Sequence, residues 1–171
     1  MLDNNVFWNY AVQTYSTPEV ADLCLTLQNQ YQLSVNDLLF GLWLAREGKR
    51  LPQELDDPSV RQWRGKMLEP LRKLRFDLRQ SKQSEDEQHC YEALKKAELS
   101  AEKVEIGLLY DLRDLCPDVE RADGAEALTQ LSYLNLCAAA KVTTKTAENL
   151  GDLPALLRQL SDKAAGAVVI G

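Results

Sequence analysis

One stretch limits what this chain can fold into more than any other. Residues 35–45, VNDLLFGLWLA, place Val35, Leu38, Leu39, Leu42 and Trp43 at i, i+3, i+4, i+7 and i+8, a helical repeat. Phe40, Leu44 and Ala45 fill the other sides, so this helix is apolar almost all round and needs neighbours on every side. It is far shorter than the roughly 20 apolar residues a bilayer-spanning helix takes. Ser34 with Asp37 approximates a capping box, although Asp is shorter than the preferred Glu, and Gly48 supplies a stop. The expectation is a central apolar helix over 35–47 with the rest of the fold built around it.

The flanking sequence supplies more helices. Val6, Phe7, Tyr10, Ala11 and Tyr15 share one side of a helix over 4–15. Thr17 as a cap, Pro18 in the first turn and Glu19 at the positive end of the dipole open a second, with Val20, Leu23, Cys24, Leu27 and Tyr31 in its stripe. LPQELDDP, 51–58, reads as a loop, and Asp57 caps a helix over 58–80 carrying Val60, Trp63, Met67, Leu71, Leu74 and Leu78. Pro70 lacks an amide and clashes with the Lys66 carbonyl, which predicts a kink or break at 66–70. QSKQS is a turn. Ser84 with Glu85, Asp86 and Glu87 opens a long helix over 84–116. Asp123 caps a helix over 124–140, KVTTKTAENLG is a loop, and a last helix begins near Asp152–Pro154 and ends near Gly166. Residues 166–171 form a short apolar tail. The fold class that follows is all-α: one domain over 1–171, an irregular bundle of about six helices.

Composition narrows the function classes. A 45% hydrophobic, 27% charged chain is an ordinary globular balance. The net charge of −6 argues against a nucleic-acid partner, which would repel the chain overall. Cys24, Cys90, Cys116 and Cys137 form no CxxC pair and read as reduced, buried small hydrophobes. MLDNNVFWNY lacks the basic and apolar segments of a signal peptide, and no apolar run approaches a membrane span. A cytoplasmic protein with no membrane span is expected.

The residues of catalysis are sparse. His89 is the only histidine, which removes most His-based metal sites and any catalytic pair needing a second imidazole. Cys90 is its neighbour, but adjacent helical residues point about 100° apart. There is no Gly-rich phosphate loop and no GxSxG. Glu98, Glu102 and Glu105 share a helix face, yet no Glu-x-x-His pairs accompany them as a di-iron bundle requires. DDPSV lacks the second acidic pair of an isoprenoid diphosphate synthase. No cofactor, metal or catalytic residue is expected.

Charge patterning is more informative. Residues 61–79 hold seven Lys or Arg against Glu69 and Asp77, and residues 84–120 hold eleven Asp or Glu against four Lys or Arg. A basic helix is thus followed across a short turn by an acidic one, and the two should pack antiparallel. Glu98, Glu105 and Arg64 fall at stripe positions where apolar residues are predicted, with Arg72 and Arg75 nearby, and charges in a core stripe need partners. With a turn near 82, residue 64 lies opposite about 100, so Arg64 is expected to pair with Glu98 or Glu102.

With these residues in view, the chain resembles an uncharacterised family of small helical proteins, a domain of unknown function found mainly in proteobacteria. The resemblance rests on FWNYAVQTY, VADLCLTLQ, VNDLLFGLWLA, Trp63-Arg64 followed by PLRKLR, and AELSAE, and covers roughly 6–105. It implies a helical bundle, a bacterial source and no assigned activity. The chain departs from the pattern at Gln32-Leu33, where a glycine turn is expected, and at Asp37, where an apolar residue is. The polar residues within the motifs, Gln28 and Asn36 among them, join Arg64, Arg72, Arg75, Glu98, Glu102 and Glu105 as a candidate polar cluster.

The leading reading is a non-catalytic interaction or regulatory protein with an unknown protein partner, itself or another. The alternative is a small-anion binder or enzyme using an Arg/Glu cluster between the helices 58–80 and 84–116. A weaker alternative is a nucleic-acid accessory protein. An open pocket lined by Arg64, Arg72, Arg75, Glu98 and Glu102 would favour the ligand; a closed network would favour the interaction.

Overall fold

The computed structural model describes residues 5–120 and 123–167. The protein is all-α. Its helices are α1 (Val6–Tyr15), α2 (Pro18–Tyr31), α3 (Val35–Arg46), α4 (Pro58–Trp63), α5 (Glu69–Ser81), α6 (Glu85–Asp111), α7 (Ala125–Ala139), α8 (Ala147–Leu150) and α9 (Leu153–Ala167). A π turn, Arg64–Leu68, joins α4 to α5. Among the described residues no strand forms, only an isolated bridge between Lys49 and Asp118. No described helix is long and apolar enough to cross a membrane.

Side-chain caps set the starts of α1, α3, α4 and α6. Asn5 accepts the amides of Phe7 and Trp8, Ser34 that of Asp37, and Asp57 those of Ser59 and Val60. At α6 the cap is reciprocal. Ser84 Oγ accepts the Glu87 amide at 3.1 Å, and Glu87 Oε2 accepts the Ser84 amide at 2.9 Å. The Gln83 amide, with the Ser84 amide and hydroxyl, donates to the Glu87 carboxylate and holds its carboxyl below the usual carboxylate range. Two expected caps differ. Thr17 makes no side-chain cap bond. Gly124, not Asp123, holds the cap position of α7, at φ 117°, a conformation a glycine adopts without strain. The expected long helix ends early: after Asp111 the chain tightens into a 3-10 turn, Leu112–Leu115. The loop expected after residue 140 contains another 3-10 turn and α8. Helix α9 extends through Ala167, so the tail expected from residue 166 begins helical, and residues 168–171 lie outside the described residues.

The described residues divide into two compact units, one of residues 5–55, 110–120 and 123–167, the other of residues 56–109. In the first, α3 packs against α1, α2 and α7, and α9 packs against α2 and α7. Every residue of α3 from Leu38 to Ala45 is buried, as an all-round apolar helix requires. Phe7 and Phe40 stack on Trp43 with centroids 5.2 and 6.1 Å away, and Tyr110 tilts against it at 5.5 Å. Helix α7 reaches α3 through Gly41, where an added Cβ would meet the Asn135 carbonyl oxygen at 3.2 Å.

Candidate functional site

The second unit consists of α4, the π turn, α5 and α6 as far as Leu109. The π turn decides which side chains face α6. Pro70 cannot donate to the Lys66 carbonyl and its ring crowds that oxygen. Instead of breaking, the helix widens, and the Glu69 amide bonds Arg64 O, five residues back. One inserted residue turns everything after it by about 100°. The expected stripe of Met67 and Leu74 is therefore wrong: Leu68 is fully buried, while Met67 and Leu74 are exposed. Leu71 and Leu78 of the expected stripe are half-buried, and Arg72 and Arg75 are half-buried beside them.

Arg64 donates to Glu105 Oε1 from Nη2 at 2.6 Å and from Nε at 3.2 Å. Arg72 Nη2 donates to Glu102 Oε1 at 3.1 Å, and its Nε lies 3.6 Å from Glu98 Oε1. Arg75 grips both oxygens of Glu98, with Nε on Oε2 and Nη2 on Oε1 at 3.3 Å. The indole of Trp63 donates to Ala101 O at 2.9 Å, fixing the same register. Glu105 is wholly buried and Glu98 nearly so. The result is an arginine–glutamate ladder of three rungs. Glu98's hydrogen bond, with a smaller one from Tyr91, raises the Arg75 pKa. Burial raises that of Glu102 against the pull of Arg72. Glu105 Oε2 has no hydrogen-bond partner.

The expected pairing of Arg64 with Glu98 or Glu102 is not what forms; its partner is Glu105. Helical side chains lean toward the N-terminus of their own helix. In an antiparallel hairpin those leans oppose each other, so an arginine before the turn meets a glutamate rooted further along α6 than the backbone register suggests.

Six of the eight candidate polar residues thus come together in the second unit. Gln28 on α2 and Asn36 on α3 belong to the first unit, where Asn36 Nδ2 is buried without a partner. A shallow groove of about 430 Å³ runs beside the ladder, lined by Arg75, Glu92, Lys95, Lys96, Glu98 and Glu102, with Leu99 at its edge. Among the described residues no three His, Cys, Asp or Glu side chains are grouped to hold a metal ion.

Sequence reasoning missed two features of the first unit. Asn135 on α7 is wholly buried; its Nδ2 donates to Gly41 O and Lys49 O, and its Oδ1 accepts the Leu51 amide at 2.9 Å. The signal available was a lone Asn inside the apolar run LNLCAAA. The second is a groove of about 550 Å³ floored by Ala45, Ala127, Leu131 and Leu134, with Arg46 and Arg50 on its rim. It is lined by residues far apart in sequence, so no local pattern announces it. The expectation for the cysteines also needs correction. Cys24 and Cys116 are buried and Cys137 half-buried, all as free thiols, but Cys90 is exposed on α6.

The fold and the ladder define a small helical protein whose most conspicuous charges face one another. The chain belongs to a family described as a protein of unknown function (DUF2390), whose model matches residues 6–109. No curated protein and no solved structure matches it.

Proposed function

We propose that this is a non-catalytic interaction or regulatory protein of the bacterial cytoplasm. One observation carries the reading: each of the three cluster guanidiniums, Arg64, Arg72 and Arg75, is already engaged by a carboxylate of the same hairpin. A guanidinium already held by a neighbouring helix's carboxylate offers less to an incoming anion, whereas it fixes the register of two helices well. The exposed surface of such a hairpin is then what remains for recognition.

The groove beside the ladder supports a second reading, a small-anion binder, because Lys95 and Lys96 line it with Arg75. Calorimetric titration of phosphate and of small dicarboxylates, set beside affinity capture from the native host with mass spectrometry, separates the two. The interaction reading expects no anion heat and a stoichiometric protein partner that still binds once purified. One-to-one anion binding that is lost in Lys96→Met would overturn it.

A further inference from the structure

The glutamates of the ladder stand on successive turns of α6, and they are not held alike. Arg75 grips both oxygens of Glu98, and Arg72 Nε lies 3.6 Å from its Oε1. Glu105 is wholly buried against Arg64. Glu102 takes one cation, Arg72, whose Nη2 donates to its Oε1 at 3.1 Å. Its side chain is also the most open of the three, 30% exposed against 12% for Glu98 and 1% for Glu105. It lines the groove beside the ladder, so a proton from solvent reaches it directly. Burial holds the Glu102 carboxyl above its ordinary value against the pull of Arg72, and the charges of Glu98 and Glu105 add to the rise. Arg72 therefore stands between two carboxylates, one of which takes up protons readily.

We propose that Arg72 is the moving part of a proton-sensitive switch: it holds Glu102 while that carboxylate is charged and passes to Glu98 when Glu102 takes a proton. The transfer needs no opening of the hairpin. A guanidinium carries five N–H donors on one planar fork. Arg72 Nε already faces Glu98, and it has only to close from 3.6 Å to the roughly 2.8 Å of a charge-assisted hydrogen bond. A neutral carboxyl loses its hold by charge, and the charge of Glu98 then wins. The other groups facing Glu102 stay where they are. From α5 there is Arg75, locked on Glu98, and from the π turn Arg64, locked on Glu105. On α6, Glu98 and Glu105 favour the neutral form of Glu102. Of the groove residues, Glu92 and Lys95 lie 3.6 Å apart as a pair, and Lys96 favours the charged form. Three arginines and three glutamates balance in the ladder, so the bound proton leaves one excess positive charge on the groove wall. The switch goes beyond the interaction reading and does not depend on it.

Nuclear magnetic resonance of the full chain tests this, following the Glu102 carboxyl carbon and the Arg72 Nε–H group from about pH 7.5 down to about pH 4. The Arg72 resonance should move with the midpoint of the Glu102 titration. Solvent exchange of Arg72 Nε–H then separates a moved guanidinium from one that merely senses the lost charge. At neutral pH, Glu102→Gln stands in for the protonated form and should slow that exchange at least about threefold relative to wild type. Adding Glu98→Gln should abolish the slowing, with the far-ultraviolet helical signal of both variants intact. An Arg72 resonance that stays still while Glu102 titrates overturns the proposal. So does exchange in Glu102→Gln that is unchanged or faster, or slowing that survives Glu98→Gln. The wild-type titration needs no variant, so it decides alone if either variant fails to fold.

Discussion

Gln32 ends α2 in the left-handed region at φ 58°, where a Cβ is strained. The family resemblance leads one to expect a glycine turn there, and the backbone has kept a glycine's conformation. Gln32→Gly should therefore raise stability by about 0.5–1 kcal/mol in urea melts, the relief of strain outweighing the extra freedom glycine gives the unfolded chain; a loss would show that Gln32 earns its place by other contacts. The thiols separate by environment. Burial pushes Cys24 up to about 12 and Cys116 to about 11, whereas Cys90 stands exposed. A thiol reagent at neutral pH should label Cys90 first and reach Cys24 and Cys116 only as the protein opens. Labelling of Cys24 as fast as Cys90 would contradict the core position of α2. Glu102 gives a pH test. Its folded pKa is raised, so the folded state holds the proton more tightly than the unfolded chain. That contribution is present below the unfolded pKa and is lost as pH rises through the folded one. Comparing wild type with Glu102→Gln, the difference should move in favour of wild type as pH falls from neutrality toward the carboxylate range; movement the other way would mean that Arg72 dominates.

At the scale of elements, the sequence makes some features plain and hides others. Helix α3 is legible because an unbroken apolar helix has few ways to fold: it must be enclosed. Trp43 is 3% exposed and meets three aromatic rings, so Trp43→Ala should cost about 3–5 kcal/mol, read from denaturant melts; a cost below about 1 kcal/mol would place α3 at the periphery. The caps Ser34, Asp57 and Ser84 were legible because they act through neighbours in sequence, whereas Thr17 and Asp123, expected on the same ground, form no side-chain cap and Asn5 was not foreseen. The π turn was not. Pro70 announces a disturbance, but whether a helix kinks, breaks or widens depends on what is packed against it. Its consequence is large, since it exchanges Leu74 for Arg75 on the face toward α6. Asn135 was hidden for a related reason: its three partners are backbone groups of residues 41, 49 and 51, invisible to any local reading.

For the whole molecule, the family match spans α1 to α3 and the hairpin unit, while α7, which packs on α3, lies beyond it. That a basic segment would meet an acidic one followed from charge alone. Which arginine takes which glutamate did not, because side-chain lean and the π turn together move the rungs along α6. On the interaction reading the ladder is internal structure rather than an open binding site, and Arg64 with Glu105 is its most enclosed rung, the two side chains being 23% and 1% exposed. A double-mutant cycle of Arg64→Met and Glu105→Met, read as the unfolding free energy of the full chain in urea, tests it most directly. The ladder predicts a coupling of about 1.5–3 kcal/mol, and a coupling below about 0.5 kcal/mol would contradict it.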